Sequence, residues 1–248
     1  MSSNAYATNW CEDGDVDTCW TIETGSGTTW DDKSSNNVDA TLQGGDPAFD
    51  LDVPGSGDGF EGSSTYSMDF DGNDDVLTST FRFNASAAQT FVLWVNTDTY
   101  QATDRMFEIN TNHHGLLHYS SKPNWWASGF DLYAGLDNIP EGEWEHYATT
   151  YNTSADTARI YVNAVLKESD TNIDAQSCNL FNIGGQPGDS RYMNGRIDEF
   201  AIFATELDGT DINDIYENGL VQVAGGNPVS PETLMQGNVV AQGNVIIQ

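Results

Sequence analysis

From Gly195 to Ala204 the chain reads GRIDEFAIFA. Ile197, Glu199, Ala201 and Phe203 alternate there with Asp198, Phe200, Ile202 and Ala204. A period of two, rich in Phe and Ile, predicts a β-strand, because successive strand side chains leave on opposite faces. Both faces are apolar, so the strand belongs inside a sandwich rather than at an edge. By the same alternation, the adjacent Asp198 and Glu199 point to opposite faces and do not form a working pair. Downstream, Asp208, Asp211, Ile212, Ile215, Tyr216 and Gly219 predict one short helix of about three turns, acidic at its start and closed by glycine.

The same signal recurs along the chain. QTFVLWVN (89–96) is a strong strand, and 104–110, 115–120 and 129–134 follow. The segment SSKPNWWAS between the last two is read as a loop. Further strands lie within 141–152 and 157–169, and Tyr66, Met68 and Phe70 share one face of an earlier one. Residues 43–64 form a long loop of Gly, Asp, Ser and Pro, the kind that is functional or pinned by ions. A dozen or more short strands in 248 residues predict one antiparallel two-sheet sandwich.

Several motifs resemble, in order, those of laminin-G-like, concanavalin A-like jelly-roll domains. They are GSGTT with Asp32, Asn37 and the ATL run 40–42; MDFDGNDDVL (68–77); EGEWEHYATTYN (141–152); TARIYVNAVLKES (157–169); and GRIDEFAIF followed by DINDIYENG. The resemblance implies an all-β jelly-roll sandwich over 19–219, with one short C-terminal helix, a leader at 1–18 and an extended tail at 220–248. Asn163-Ala164 stands where the family has Asp-Gly, which implies a changed hairpin turn. The resemblance also implies a structural Ca²⁺ with Asp198, Asp32 and Asp71 as candidate ligands, Arg196 being the alternative partner of Asp198. It makes His146 a hydrogen-bonded structural histidine.

Acidic residues number 38 against 8 basic, a formal charge of -30. Such a field opposes nucleic acid and anionic lipid, and it suits salt and divalent cations. No apolar run is long enough for a membrane-spanning helix, and the first residues do not read as a secretory signal. Either a signal has been removed or the protein leaves its cell another way, such as lysis.

Cys11 and Cys19 flank the acidic loop EDGDVDT at a spacing that allows a disulfide, leaving Cys178 as a buried thiol. The loop lacks the glycine and glutamate of an EF-hand. Glucanases of this superfamily that resemble laminarinases carry Glu-x-Asp-x-x-Glu on one strand, which the resemblance implies would put acid and nucleophile on one face about 5 Å apart. No run of that kind is legible; Glu141, Glu143 and Glu145 alternate around Trp144 as a solvated edge, so no enzyme is expected. His113, His114 and His118 read as a polar hairpin tip. Asn124, Trp125 and Trp126, with His113 and with Asn112 and Tyr133 as neighbours, have the aromatic and amide composition of a glycan or partner site; one tryptophan as core is the alternative.

The tail repeats QGNV at 236–239 and 242–245. Two hexads cannot bury a core alone, so Val239, Val240, Val245 and Ile246 are candidates for docking or oligomerisation. These features together predict a non-enzymatic virion surface protein: a capsid decoration, fibre or adhesin subunit attached through its tail. Its partners would be capsid or tail proteins, or further copies of itself in a homo-oligomer such as a trimer. The alternative is a secreted or cell-surface glycan-binding module.

Overall fold

The computed structural model describes residues 9–220 apart from 24, 102, 110–114, 120–121, 128–129, 136–139, 172–180 and 189. Its first strands are β1 (Val16–Trp20), β2 (Thr29–Trp30), β3 (Ala40–Gly44), β4 (Ala48–Asp50), β5 (Ser67–Asp71), β6 (Val76–Ser79), β7 (Gln89–Thr97) and β8 (Arg105–Glu108). They are followed by β9 (Gly115–Tyr119), β10 (Lys122–Ala127), β11 (Phe130–Tyr133), β12 (Trp144–Asn152), β13 (Thr157–Val162), β14 (Val165–Thr171), β15 (Phe181–Ile183) and β16 (Asn194–Phe203). One helix, α1 (Gly209–Asn218), closes the described region. Sheet A runs β14-β13-β12-β7-β16-β5-β4, with β1 also on β16, and sheet B runs β11-β10-β9-β8-β15-β6-β3-β2. All named strand pairs are antiparallel. The predicted two-sheet jelly roll is the fold observed. No helix among the described residues is long and apolar enough to cross a membrane.

The inner faces interdigitate around aromatic rings. Phe91 of β7 stacks on Phe107 of β8 at 5.0 Å, and Phe181 of β15 stacks on Phe107 at 5.7 Å. Such pairs add about 0.5–1.5 kcal/mol each beyond the area they bury. Met68 and Phe70 lie in this core and Tyr66 packs on its margin, the face predicted for them.

A second apolar layer covers the outer face of sheet A. The Asp208 carboxylate accepts hydrogen bonds from the Thr210 and Asp211 N–H groups and so caps α1. Ile212 and Ile215 then pack with Val92, Ala148, Tyr161, Ala201 and Phe203. Trp10 meets Phe203 edge-on at 5.9 Å; its backbone N–H donates to the Leu220 carbonyl at 3.0 Å and its indole N–H to Asp214 Oδ2 at 3.0 Å. Among the described residues, Trp10 and Cys11, which the sequence reading placed in a leader, are buried against this layer. Cys11 and Cys19 are joined in a disulfide.

Two local readings change. Asn163 and Ala164 both have positive φ, 48° and 60°, as a type I′ hairpin requires. The turn type is kept although Ala replaces Gly. In β16 the register against β7 shifts between Asp198 and Ala201, and Glu199 has φ 49°. This is a β-bulge, where two residues oppose one. Ile197 and Phe200 both remain in the inner core. Asp198 and Glu199 between them therefore share the outer face, and the expectation that they diverge is corrected.

Candidate functional site

The segment read as a loop around the two tryptophans is strand β10, paired with β9 and β11. Pro123, its second residue, offers its carbonyl to the Ala134 N–H at 2.9 Å. Alternation then sends Trp125 inward, fully buried at 5.4 Å from Phe91 and 5.8 Å from Phe107. Trp125 is a core residue, which corrects its assignment to a ligand surface. Asn124 and Trp126 face outward, with Leu117 and Tyr119 of β9 and Asp131 and Tyr133 of β11.

These side chains, with Thr103, Arg105 and Arg191, line a cavity of about 290 Å³ on the outer face of sheet B. The size lies at the lower end of small-molecule sites, about 300 Å³. Gly115 pairs with Trp126 and lets β9 approach β8: a Cβ there would stand 2.1 Å from the Phe107 carbonyl oxygen. No side chain from that position crowds the Trp126 ring. The Tyr119 and Tyr133 rings lie 6.1 Å apart, and Tyr119 is 45% exposed.

Polar groups frame these rings. The Asn124 amide donates to Asp131 Oδ1 at 2.5 Å, and the Tyr133 hydroxyl donates to Asp131 Oδ2 at 3.0 Å. Partial burial and the adjacent Asp131 carboxylate raise the Tyr133 pKa, so the hydroxyl stays protonated. Arg105 and Glu108, both buried, pair at 2.9 Å, and Arg105 also donates to Gln186 at 3.2 Å. Aromatic faces beside fixed amide, carboxylate and guanidinium groups suit a ring with one apolar face and a polar rim.

The remaining predicted residues are not gathered here. His113 lies outside the described residues, as do His114, Asn112, Cys178 and the tail residues Val239, Val240, Val245 and Ile246. His118 is buried and hydrogen-bonded to Asp104 at 3.1 Å, so it belongs to the interior rather than to a hairpin tip. His146 is fully buried, and burial lowers its pKa to about 3. Neither of its ring nitrogens has a hydrogen-bond partner among the described residues, contrary to expectation.

The three candidate calcium ligands are separated. Asp32 Oδ1 accepts from the Cys19 and Ser34 N–H groups, and Oδ2 from the Ser34 hydroxyl and the Val38 N–H. Its lone pairs tie a loop together, and a metal does not fit it. Asp71 lies beside Asp74 and Asp75, their carboxylate oxygens within 4.8 Å of one another, in a turn where Asp71 accepts from Asn73. Asp71 pairs with Asn194, four residues before Asp198, which places the two aspartates about 13 Å apart along the strand.

Asp198 differs from both. It and Glu199 are fully buried, and Asp198 Oδ2 and Glu199 Oε1 have no partner among the described residues. Burial pushes the Asp198 pKa up to about 7, against hydrogen bonds from Ser64 and the Glu199 N–H, with Glu23 adding to the rise. Burial and Asp198 together raise Glu199 well above the usual carboxylate range. Two acidic groups with orphaned oxygens in a dry site are what a hard cation neutralises. This pair fits Ca²⁺.

The sequence reading missed Arg105, Leu117, Tyr119, Asp131 and Arg191 as site residues. The available signal was the alternation in GLLHY and FDLY, which puts Leu117, Tyr119, Asp131 and Tyr133 on one face once Trp125 is known to be core.

A laminin-G family model, described as the concanavalin A-like lectin/glucanases superfamily, matches residues 70–213, more than half of the chain. No curated protein matches. The fold is similar to the binding domain of Paraclostridial Mosquitocidal Protein 1: TM-score 0.66, 13% identity, covering 82% of this chain and 52% of that one. It is similar to domain 4 of AbnA, a GH43 extracellular arabinanase from Geobacillus stearothermophilus, in complex with arabinotriose: TM-score 0.64, 18% identity, covering 81% and 98%. It is similar also to the receptor binding domain of botulinum neurotoxin C/D mosaic serotype: TM-score 0.61, 16% identity, covering 82% and 51%. The chain spans about half the length of the two toxin domains. At these identities the likeness is one of fold.

Proposed function

The chain belongs to the concanavalin A-like lectin/glucanases superfamily, and from that premise we propose that it is a carbohydrate-binding module with its ligand on the outer face of sheet B. The observation that carries this reading is the cavity framed by Tyr119, Trp126 and Tyr133 and edged by Asn124 and Asp131. The arabinotriose complex of the AbnA domain supports it by analogy of fold.

The module binds without cleaving. Among the described residues, two carboxylates of this face, Glu108 and Asp131, are separated by Gly115 and Trp126 in one row of paired residues. Three strand spacings put them about 14 Å apart, beyond the roughly 5–9.5 Å that glycoside hydrolysis uses. Titration with arabino-, gluco- and uronate oligosaccharides, followed by calorimetry, should give dissociation constants in the micromolar to millimolar range and release no reducing ends. Silence toward every oligosaccharide at millimolar protein would overturn the reading. We also propose a structural Ca²⁺ held by Asp198 and Glu199, with Glu23 close enough to contribute to the local field.

The finer reading, a virion surface component, rests on the tail. Residues 233–248 contain no Asp, Glu, Lys or Arg, in a chain of formal charge -30. Such a segment is suited to being covered by protein. The intact chain should be a trimer or larger by native mass, and a chain ending at 219 a monomer. Monomers in both cases would remove the support for assembly through the tail.

A further inference from the structure

His118, like His146, is a buried histidine with a ring nitrogen lacking a partner among the described residues, and its surroundings suit an ion. The end of β7 pairs with the start of β12, and the start of β8 with the end of β9. The connection 98–104 therefore crosses from sheet A to sheet B at one end of the sandwich, where β9 ends and β12 begins. His118 is the last residue but one of β9. Leu117 and Tyr119 line the outer cavity and Leu116 is in the core, so alternation turns His118 toward sheet A. Glu145 is the second residue of β12, and Tyr147, two residues on, is in the core. The same alternation turns Glu145 toward sheet B.

Asp104 orients the imidazole. Its Oδ1 lies 3.1 Å from His118 Nδ1, and its backbone carbonyl accepts the His118 N–H at 2.9 Å. Asp104 Oδ2 accepts in turn from the Gln101 N–H at 3.4 Å. A carboxylate beside Nδ1 keeps the ring proton there and leaves a lone pair on Nε2. His118 is 1% exposed, and that Nε2 is the nitrogen without a partner. Across the gap, Glu145 is half-buried, and its Oε2 accepts from the Tyr147 hydroxyl at 2.6 Å. Burial raises the Glu145 pKa; the Tyr147 hydroxyl and His118 act against the rise, so His118 and Glu145 lie within reach of each other's charge.

We propose that His118 Nε2 and a Glu145 oxygen hold a divalent d-block cation of the Zn²⁺ type, with water completing its coordination, as a tie between the two sheets. Metal-bound imidazoles almost always donate their other ring N–H to a carboxylate or carbonyl, which raises the basicity of the ligating nitrogen. An unpaired lone pair in a dry interior costs stability that a bound cation recovers. One imidazole nitrogen and one carboxylate suit Zn²⁺, Co²⁺ or Ni²⁺, whereas Ca²⁺ takes oxygen ligands. Asp198 and Glu199 offer oxygen alone and stand on the outer face of sheet A, so the two sites differ in place and in the ion they prefer. The strongly negative chain draws either cation in.

The test titrates the metal-free full chain with Zn²⁺ in ~1 mM Ca²⁺, which occupies sites made of oxygen alone. One equivalent of Zn²⁺ should bind with a micromolar dissociation constant and raise the melting temperature. In NMR spectra of the imidazole nitrogens it should shift His118 Nε2 and leave His146 unmoved. His118→Gln and Glu145→Gln should each weaken Zn²⁺ by at least ~10-fold. Asp104→Asn, which keeps an oxygen for the Nδ1–H, should weaken it by ~10-fold through the orientation of the ring. Asp74→Asn, in the exposed acidic turn with Asp71 and Asp75, should change nothing. If His118→Gln fails to fold, the resonance shift in the parent still decides. Zn²⁺ binding that survives both ligand variants, or that leaves the His118 nitrogen unmoved, assigns the ion to surface carboxylates and overturns the proposal. No Zn²⁺ binding leaves Nε2 to a water molecule and overturns it as well.

Discussion

Trp125→Ala should lower the stability of the domain by about 4 kcal/mol, whereas Trp126→Ala should leave stability nearly unchanged and weaken sugar binding by ~30–100-fold. The two rings are neighbours in sequence and lie on opposite faces of one strand. Trp125 packs against the stacked pair of Phe91 and Phe107, so its removal leaves a cavity that rigid neighbours on both sheets cannot close. Trp126 is half-buried, and its ring lines the site. Urea unfolding measures the first effect and calorimetric titration the second. Trp125→Phe is the control: it retains most of the ring volume and should recover most of the stability. If Trp126→Ala unfolds the domain as readily as Trp125→Ala, or binds sugar as the parent does, the assignment of the outward face fails.

This pair of tryptophans also shows what could be read from the sequence and what could not. Their composition drew attention to the right strand, and Asn124, Trp126 and Tyr133 do meet in the cavity. Pro123 hid the strand itself, because proline lacks the N–H a ladder uses. Without the strand, which tryptophan faces inward was undecidable. The regular alternation of β7 and β16 and the capped helix were legible because each depends on residues close in sequence. Arg105 and Arg191 come from distant segments and meet only once sheet B is assembled, an arrangement no local pattern encodes. The bulge in β16 is similar: Glu199 carries positive φ without glycine. Its neighbours hold that conformation through contacts such as the Leu220 N–H donating to Glu199 Oε2 at 2.8 Å. The period of two was wrong in that strand only at the bulge, where the two residues with the most unusual chemistry stand.

In chelator, the protein should lose stability as pH rises from about 4 to 8, and Asp198→Asn should remove most of that loss. The Asp198 carboxyl has a pKa of about 7 in the fold, above its usual value of 3.8. The folded chain therefore holds a proton that the unfolded chain has released. The associated stability is fully present below the unfolded pKa and disappears as pH rises through about 7. A shift of three units corresponds to about 4 kcal/mol as an upper bound. For a domain of this size that is on the order of 10 °C in melting temperature. Glu199, also raised, acts in the same direction. Asparagine preserves an acceptor for the Glu199 N–H, which the Asp198 carboxylate now accepts at 2.7 Å, and carries no charge to bury. The variant should thus be more stable than the parent at pH 8 without metal. Self-repulsion among the other acids gives both proteins a common slope, so the difference between them is the quantity to read. Millimolar Ca²⁺ at pH 8 should then restore the parent and leave the variant unmoved, because an ion among the orphaned oxygens supplies the positive charge that the lost proton supplied at pH 5. A parent whose melting temperature is flat with pH and indifferent to Ca²⁺ would show that these carboxyl groups find other partners in solution, and the metal assignment would fall with the pH dependence.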